Sequence, residues 1–239
     1  MKGFSSGRLF GIGSMTALAA LSACGPKEPP KPAPPPPVVI VVPPQPYPPL
    51  GAPSNIVTPP VDAYGMRRTI NTGVSTAQTT WNFRSAYNVA ALNCTKPEHA
   101  AILENYRAYL KANAKKLTAT NKAVDTEFKG RMGASFVRAR EAYMTQVYNY
   151  FALPPTLPLF CDAALLVSNE MKLTKPADFD RASAASLAKV DQVFKDFFTG
   201  YDQYRADLAA WQSRYYPTQT PIAAAPSIVL PPASPVQAR

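Results

Sequence analysis

A chain of 239 residues carrying 27 prolines and a formal charge of +10 is long enough for one or two domains, but the prolines leave room for one. Sixteen of them fall within residues 26–60 and six more within residues 217–239, so only the middle of the chain can build a core. With a single histidine, three cysteines, no G-x-S-x-G elbow and no glycine-rich phosphate loop, the sequence offers neither a metal-ligand cluster nor a recognisable catalytic set.

Residues 1–23 read as an export signal. Lys2 and Arg8 form a short basic region, and residues 9–21 are an uncharged apolar run, too short to span a bilayer comfortably, which takes about 20 residues. Leu21-Ser22-Ala23-Cys24 closes the run and resembles the lipobox of bacterial lipoproteins. The resemblance implies that Cys24 is lipidated and becomes the mature N-terminus. Two acyl chains on the thiol and a third on the new amine would anchor it stably, at about 0.8 kcal/mol per buried methylene. Gly25, where enterobacterial sorting places Asp for inner-membrane retention, points to the outer membrane, with the chain facing the periplasm. An ordinary cleaved signal, or an uncleaved anchor with a cysteine there by accident, is the competing reading.

Loss of Lys2 and Arg8 with the signal leaves a mature charge of 10 − 2 = +8. Basicity alone would suggest nucleic acid, but an exported protein meets none. The anionic partners within reach are membrane lipid, lipopolysaccharide phosphates, peptidoglycan and envelope proteins. Once Cys24 is lipidated, Cys94 and Cys161 remain as an even pair in an oxidising compartment, which favours a disulfide over two buried thiols.

The chain divides into a signal (1–23), a lipidated cysteine and proline-rich linker (24–64), a helical domain (65–216) and a Pro/Ala-rich tail expected to be disordered (217–239). Runs such as Pro34-Pro35-Pro36-Pro37 favour polyproline II, and some 35 residues at about 3.1 Å each would reach about 100 Å. Val38-Val39-Ile40-Val41-Val42 within this linker reads either as extended spacer or as a strand offered to a partner's sheet edge.

The domain is expected to be all-α, an antiparallel bundle containing a long helical hairpin. Residues 65–73 read as a loop and 74–92 as a first helix. Thr95 and Glu98 have capping-box spacing around Pro97. A second helix follows with one stripe: Tyr106, Leu110, Ala114, Leu117, Asn121, Val124 and Phe128. Gly130 and Gly133 predict a turn near Gly130, and Phe136, Tyr143, Val147 and Tyr150 begin the returning stripe. That fold-back returns Cys161 to the level of Cys94; in an unbroken helix they would lie about 80 Å apart. A short helix over 159–171 precedes Pro176. The last helix repeats apolar residues at three and four: Leu187, Val190, Phe194, Phe197, Tyr201, Tyr204, Leu208, Trp211 and Tyr215, with Gly200 on its flank as a point of close approach.

The paired cysteines, with Asn88-Val89-Ala90-Ala91-Leu92-Asn93-Cys94, Val147-Tyr148-Asn149-Tyr150-Phe151 and Phe160-Cys161-Asp162-Ala163-Ala164, resemble uncharacterised alphaproteobacterial envelope proteins of the sphingomonad type. The likeness covers about half the chain. It supports the hairpin and the disulfide and implies no activity.

Candidate sites are few. Residues 96–140 hold ten basic residues against four acids, with Arg107, Lys111 and Lys115 a turn apart, while residues 178–214 hold five bases against six acids. This basic face reads as a surface for an anionic partner or as a solvated face partly paired with the last helix. Phe194, Phe197, Tyr201 and Tyr204 read as core packing or as a slot for an aromatic ligand. His99 reads as a lone solvent-facing histidine, and Asp178 and Asp180 as acids favoured at a helix start. The expectation is a non-enzymatic structural or interaction module needing no cofactor or metal, the alternative being a periplasmic binding module for an apolar or aromatic ligand. The seam of the last helix could also serve dimerisation, which leaves the oligomeric state open.

Overall fold

The computed structural model describes residues 41–216; the signal, Cys24, residues 38–40 of the apolar linker run and the tail lie outside the described residues. Six α-helices follow one another: α1 (Thr76–Asn93), α2 (Ala101–Ala112), α3 (Ala114–Met132), α4 (Phe136–Phe151), α5 (Leu157–Lys172) and α6 (Phe179–Tyr215). Among the described residues there is no strand, only an isolated bridge between Val61 and Arg67. α1 runs through the middle and packs on the other five helices. This is the expected all-α bundle.

Local chemistry sets the helix ends, and not always at the expected residues. The capping box forms at the start of α1, where the Gln78 N–H donates to the Ser75 hydroxyl at 3.0 Å and the Ser75 N–H donates back to the Gln78 side chain. The box expected at Thr95 and Glu98 does not form. Pro97 opens a short 3-10 turn capped by Lys96, without a side-chain bond, and α2 begins only at Ala101.

The single helix expected to follow is broken. Asn113 leaves helical geometry, and both its backbone N–H and its side-chain amide donate to the Tyr109 carbonyl, at 3.1 and 2.9 Å. An asparagine side chain that competes for a helix carbonyl in this way favours a break. The hairpin turn falls at Gly133 rather than Gly130, because Gly133 takes φ +53°, a left-handed value natural to glycine.

Folding back at Gly133 produces the predicted meeting of cysteines. Cys94 at the end of α1 and Cys161 on α5 are joined as a disulfide, with Cα atoms 5.5 Å apart. Around them lies the main core, in which Phe83, Ile102, Phe151, Phe160, Phe194 and Tyr201 have essentially no exposure. A smaller core of Val124, Phe128 and Met144 closes the hairpin over Trp81.

The packed domain takes in much of the segment that composition assigned to the linker. Residues 43–68 run along α6 as a strap. Proline-rich backbone has carbonyls to satisfy and few N–H groups to offer, and α6 supplies donors. Trp211 Nε1 donates to the Pro43 carbonyl at 2.9 Å and the Tyr201 hydroxyl to that of Pro53 at 2.7 Å, while Arg205 reaches the Ile56 carbonyl. Arg67, nearly buried, bridges the Pro59 carbonyl and Asp202, both at 2.7 Å. Pro49 of the strap is the neighbour that Gly200 meets. A Cβ there would lie 3.9 Å from the proline ring, an ordinary contact, so glycine is not required.

Candidate functional site

The break at Asn113 reshapes the basic face. Arg107 and Lys111 stand a turn apart on α2, but Lys115 belongs to α3, so the three do not share one helical face as expected. All three are exposed and, among the described residues, none has an acidic partner. The break also opens a cavity of about 390 Å³ that brings Lys111, Asn113, Lys115 and Lys116 together with Pro176 and Phe179 at the head of α6. Arg107 is not part of it. Asp178 and Asp180 leave this cluster positive, because each is already paired: Asp180 with Lys116 and Asp178 with Arg181, both at 2.6 Å.

The four rings considered as a ligand slot are instead a filled core. Phe194, Phe197, Tyr201 and Tyr204 are all buried. Phe194 packs against Phe151 and Phe160 with ring centroids 5.5 Å away, and Tyr201 packs against Tyr204 at the same distance. The polar tip of Tyr201 is committed to the strap, donating to Pro53 and accepting from the Ile56 N–H at 3.2 Å.

His99 is not solvent-facing. It is 4 % exposed, and its Nε2 lies 2.8 Å from Asp162, the residue after Cys161. The pair ties the start of α2 to α5 beside the disulfide. Among the described residues no three His, Cys, Asp or Glu side chains gather as metal ligands would. No single helix among them is long and apolar enough to cross a membrane.

A buried polar network escaped the sequence reading. Asp191, on the core face of α6, is 3 % exposed and holds donors from three directions. The Tyr150 hydroxyl of α4 donates at 2.8 Å, the Asn71 amide at 2.6 Å and the Thr69 hydroxyl at 3.3 Å, while Lys195 pairs with the second oxygen at 2.7 Å. Asn71 in turn accepts from Asn82 of α1, which hydrogen-bonds Tyr143. The signal available in the sequence was a charge one residue from Val190 and one turn from Leu187, inside the stripe.

Burial holds the phenols of Tyr87, Tyr106, Tyr109 and Tyr143 above their ordinary pKa, and Tyr150 is raised by burial and by the Asp191 charge. Unfolded tyrosines titrate near 10, so the folded state keeps protons that the unfolded state loses. The stability is complete below about pH 10 and falls above it, by about 1.4 kcal/mol per pH unit for each such tyrosine. An alkaline titration followed by tyrosinate absorbance and circular dichroism is expected to show part of the 12 tyrosines ionising only as helicity collapses. Smooth ionisation of all of them near pH 10, with helices intact, would contradict this burial.

Comparison of the chain with protein-family models, with curated proteins and with solved structures yields no match.

Proposed function

We propose that this chain is a non-enzymatic interaction module of the cell envelope, held in the outer membrane by acylated Cys24 and touching an anionic envelope polymer through Arg107, Lys111 and Lys115. The observation that carries the reading is the contrast between these cations, exposed and unneutralised, and the aromatic seam of α6, which is packed solid. A module gripping an apolar ligand among Phe194, Phe197, Tyr201 and Tyr204 would need space between rings that already touch. The disulfide fits an oxidising compartment such as the periplasm.

The strap shortens the reach of this arrangement. Pro43, not residue 65, is the first strap residue bonded to α6, so 43 − 24 = 19 residue steps lead from Cys24 to the domain. Fully extended as polyproline II they would span about 60 Å, rather than about 100 Å. Peptidoglycan is the polymer we favour within that distance, with lipopolysaccharide or an envelope protein as the other candidates.

Co-sedimentation of the detergent-solubilised mature protein with purified peptidoglycan sacculi tests the reading. Binding is expected to weaken with salt, and a Lys111→Glu/Lys115→Glu variant to bind about tenfold more weakly, equivalent to about 1.4 kcal/mol. No binding, or binding indifferent to both salt and charge reversal, would refute it.

A further inference from the structure

We infer that the cavity at the α2–α3 break is a binding site for a sugar that carries a carboxylate or a phosphate. The inference rests on the reading of the basic face given above and narrows it to one ligand class. At about 390 Å³ the cavity lies within the 300–1,000 Å³ range of small-molecule pockets. Its wall combines three kinds of group. Among the described residues Lys111 and Lys115 have no acidic partner, and a lysine ammonium is a point charge that accepts carboxylate or phosphate without demanding the planar geometry an arginine imposes. Asn113 has its side-chain amide committed to Tyr109, whereas among the described residues its Oδ1 accepts no hydrogen bond and can receive a hydroxyl. Exposed Pro176, backed by the nearly buried Phe179, supplies apolar surface for the C–H face of a ring. Cations for the anionic substituent, an acceptor for a hydroxyl and an apolar wall for the ring together describe an acidic sugar better than a bare ion or an apolar ligand.

The position of the cavity supports a ligand away from the attachment point of the tether. Phe179, in the cavity wall, is the first residue of α6, and Trp211, which holds the strap at Pro43, lies 211 − 179 = 32 residues further on. At 1.5 Å per residue that is about 48 Å of helix. The cavity and the Pro43 end of the strap are therefore at opposite ends of α6.

The test is titration of the isotope-labelled full mature chain in detergent, followed by amide NMR shifts, with three probes. N-acetylmuramic acid carries the lactyl carboxylate that cell-wall glycan exposes where its stem peptide has been removed, glucosamine 1-phosphate carries the phosphate of a lipopolysaccharide head, and N-acetylglucosamine is the neutral control. Saturable shifts at Asn113, Ala114, Lys115 and Lys116 are expected with at least one acidic sugar, at least fivefold weaker in Lys111→Gln/Lys115→Gln. Which acidic sugar binds identifies the source. Shifts equal for the neutral sugar, undiminished in the glutamine variant, or absent with both acidic sugars would overturn the site. If sacculi still bind with sensitivity to Lys111 and Lys115 while no acidic sugar does, the cavity is refuted and the basic face stands. If sacculi fail and an acidic sugar binds here, the cavity stands and the cell-wall reading falls.

Discussion

Replacing both Cys94 and Cys161 with alanine is expected to lower the unfolding free energy by about 4 kcal/mol. The bond closes a loop of 67 residues, and the chain-entropy model for a loop of that size gives about this figure. Alanine avoids stranding a serine hydroxyl in a core where the two cysteines are 7 % and 4 % exposed. Denaturant unfolding of wild type and variant, each with and without reductant, gives the check. Reductant should destabilise only the wild type, and by nearly the same amount as the double substitution. A loss below about 1 kcal/mol would mean that the bundle, with His99 and Asp162 bridging α2 and α5 beside the bond, already restrains the chain without it.

Asp191→Ala is expected to cost about 3–5 kcal/mol, the range for removing one partner from a buried charged network. Lys195 is 30 % exposed and can turn to water. The Tyr150 hydroxyl and the Asn71 amide are the groups left without their acceptor, at the junction of α4, α6 and the segment leading into α1. Asp191→Asn keeps one acceptor but turns a new donor towards existing ones, so it should lie between wild type and alanine. Chemical denaturation measures the total, and limited proteolysis within residues 43–72 reports whether the strap loosens first. A cost within 1 kcal/mol of zero for the alanine variant would show that the network is not holding the strap to α6.

What could be read from the sequence was what local periodicity encodes. The three-and-four repeat from Leu187 to Tyr204 gave α6 and its buried face, and the two glycines gave the hairpin, displaced by three residues because only Gly133 takes the left-handed value. The cysteine pair was legible from parity and from the oxidising compartment that the export signal leads one to expect. Other features were hidden for identifiable reasons. The strap depends on hydrogen bonds between residues some 145 to 168 positions apart, such as Ile56 with Tyr201 and Pro43 with Trp211, and proline content alone reads as free polyproline II. The stripe from Tyr106 to Phe128 keeps its period across Asn113, so the break that opens the cavity leaves almost no trace in hydrophobic pattern. Its only marker is the asparagine itself. His99 was misread because its partner, Asp162, lies 63 residues away. Of the basic residues the sequence singled out, Lys111 and Lys115 meet in the cavity, whereas Arg107 stays outside it and Lys116, a sequence neighbour passed over, joins them.

The envelope reading proposed for this chain depends on its being an oxidised, membrane-tethered protein. The most direct measurement is the intact mass of the protein extracted from membranes, with and without reductant, alongside a Cys24→Ala variant. The account predicts a chain beginning at Cys24 with acyl groups attached, a gain of two hydrogens' mass on reduction, and loss of the acyl mass and of membrane association in the variant. A soluble chain without added lipid, or one whose mass reductant does not change, would contradict it.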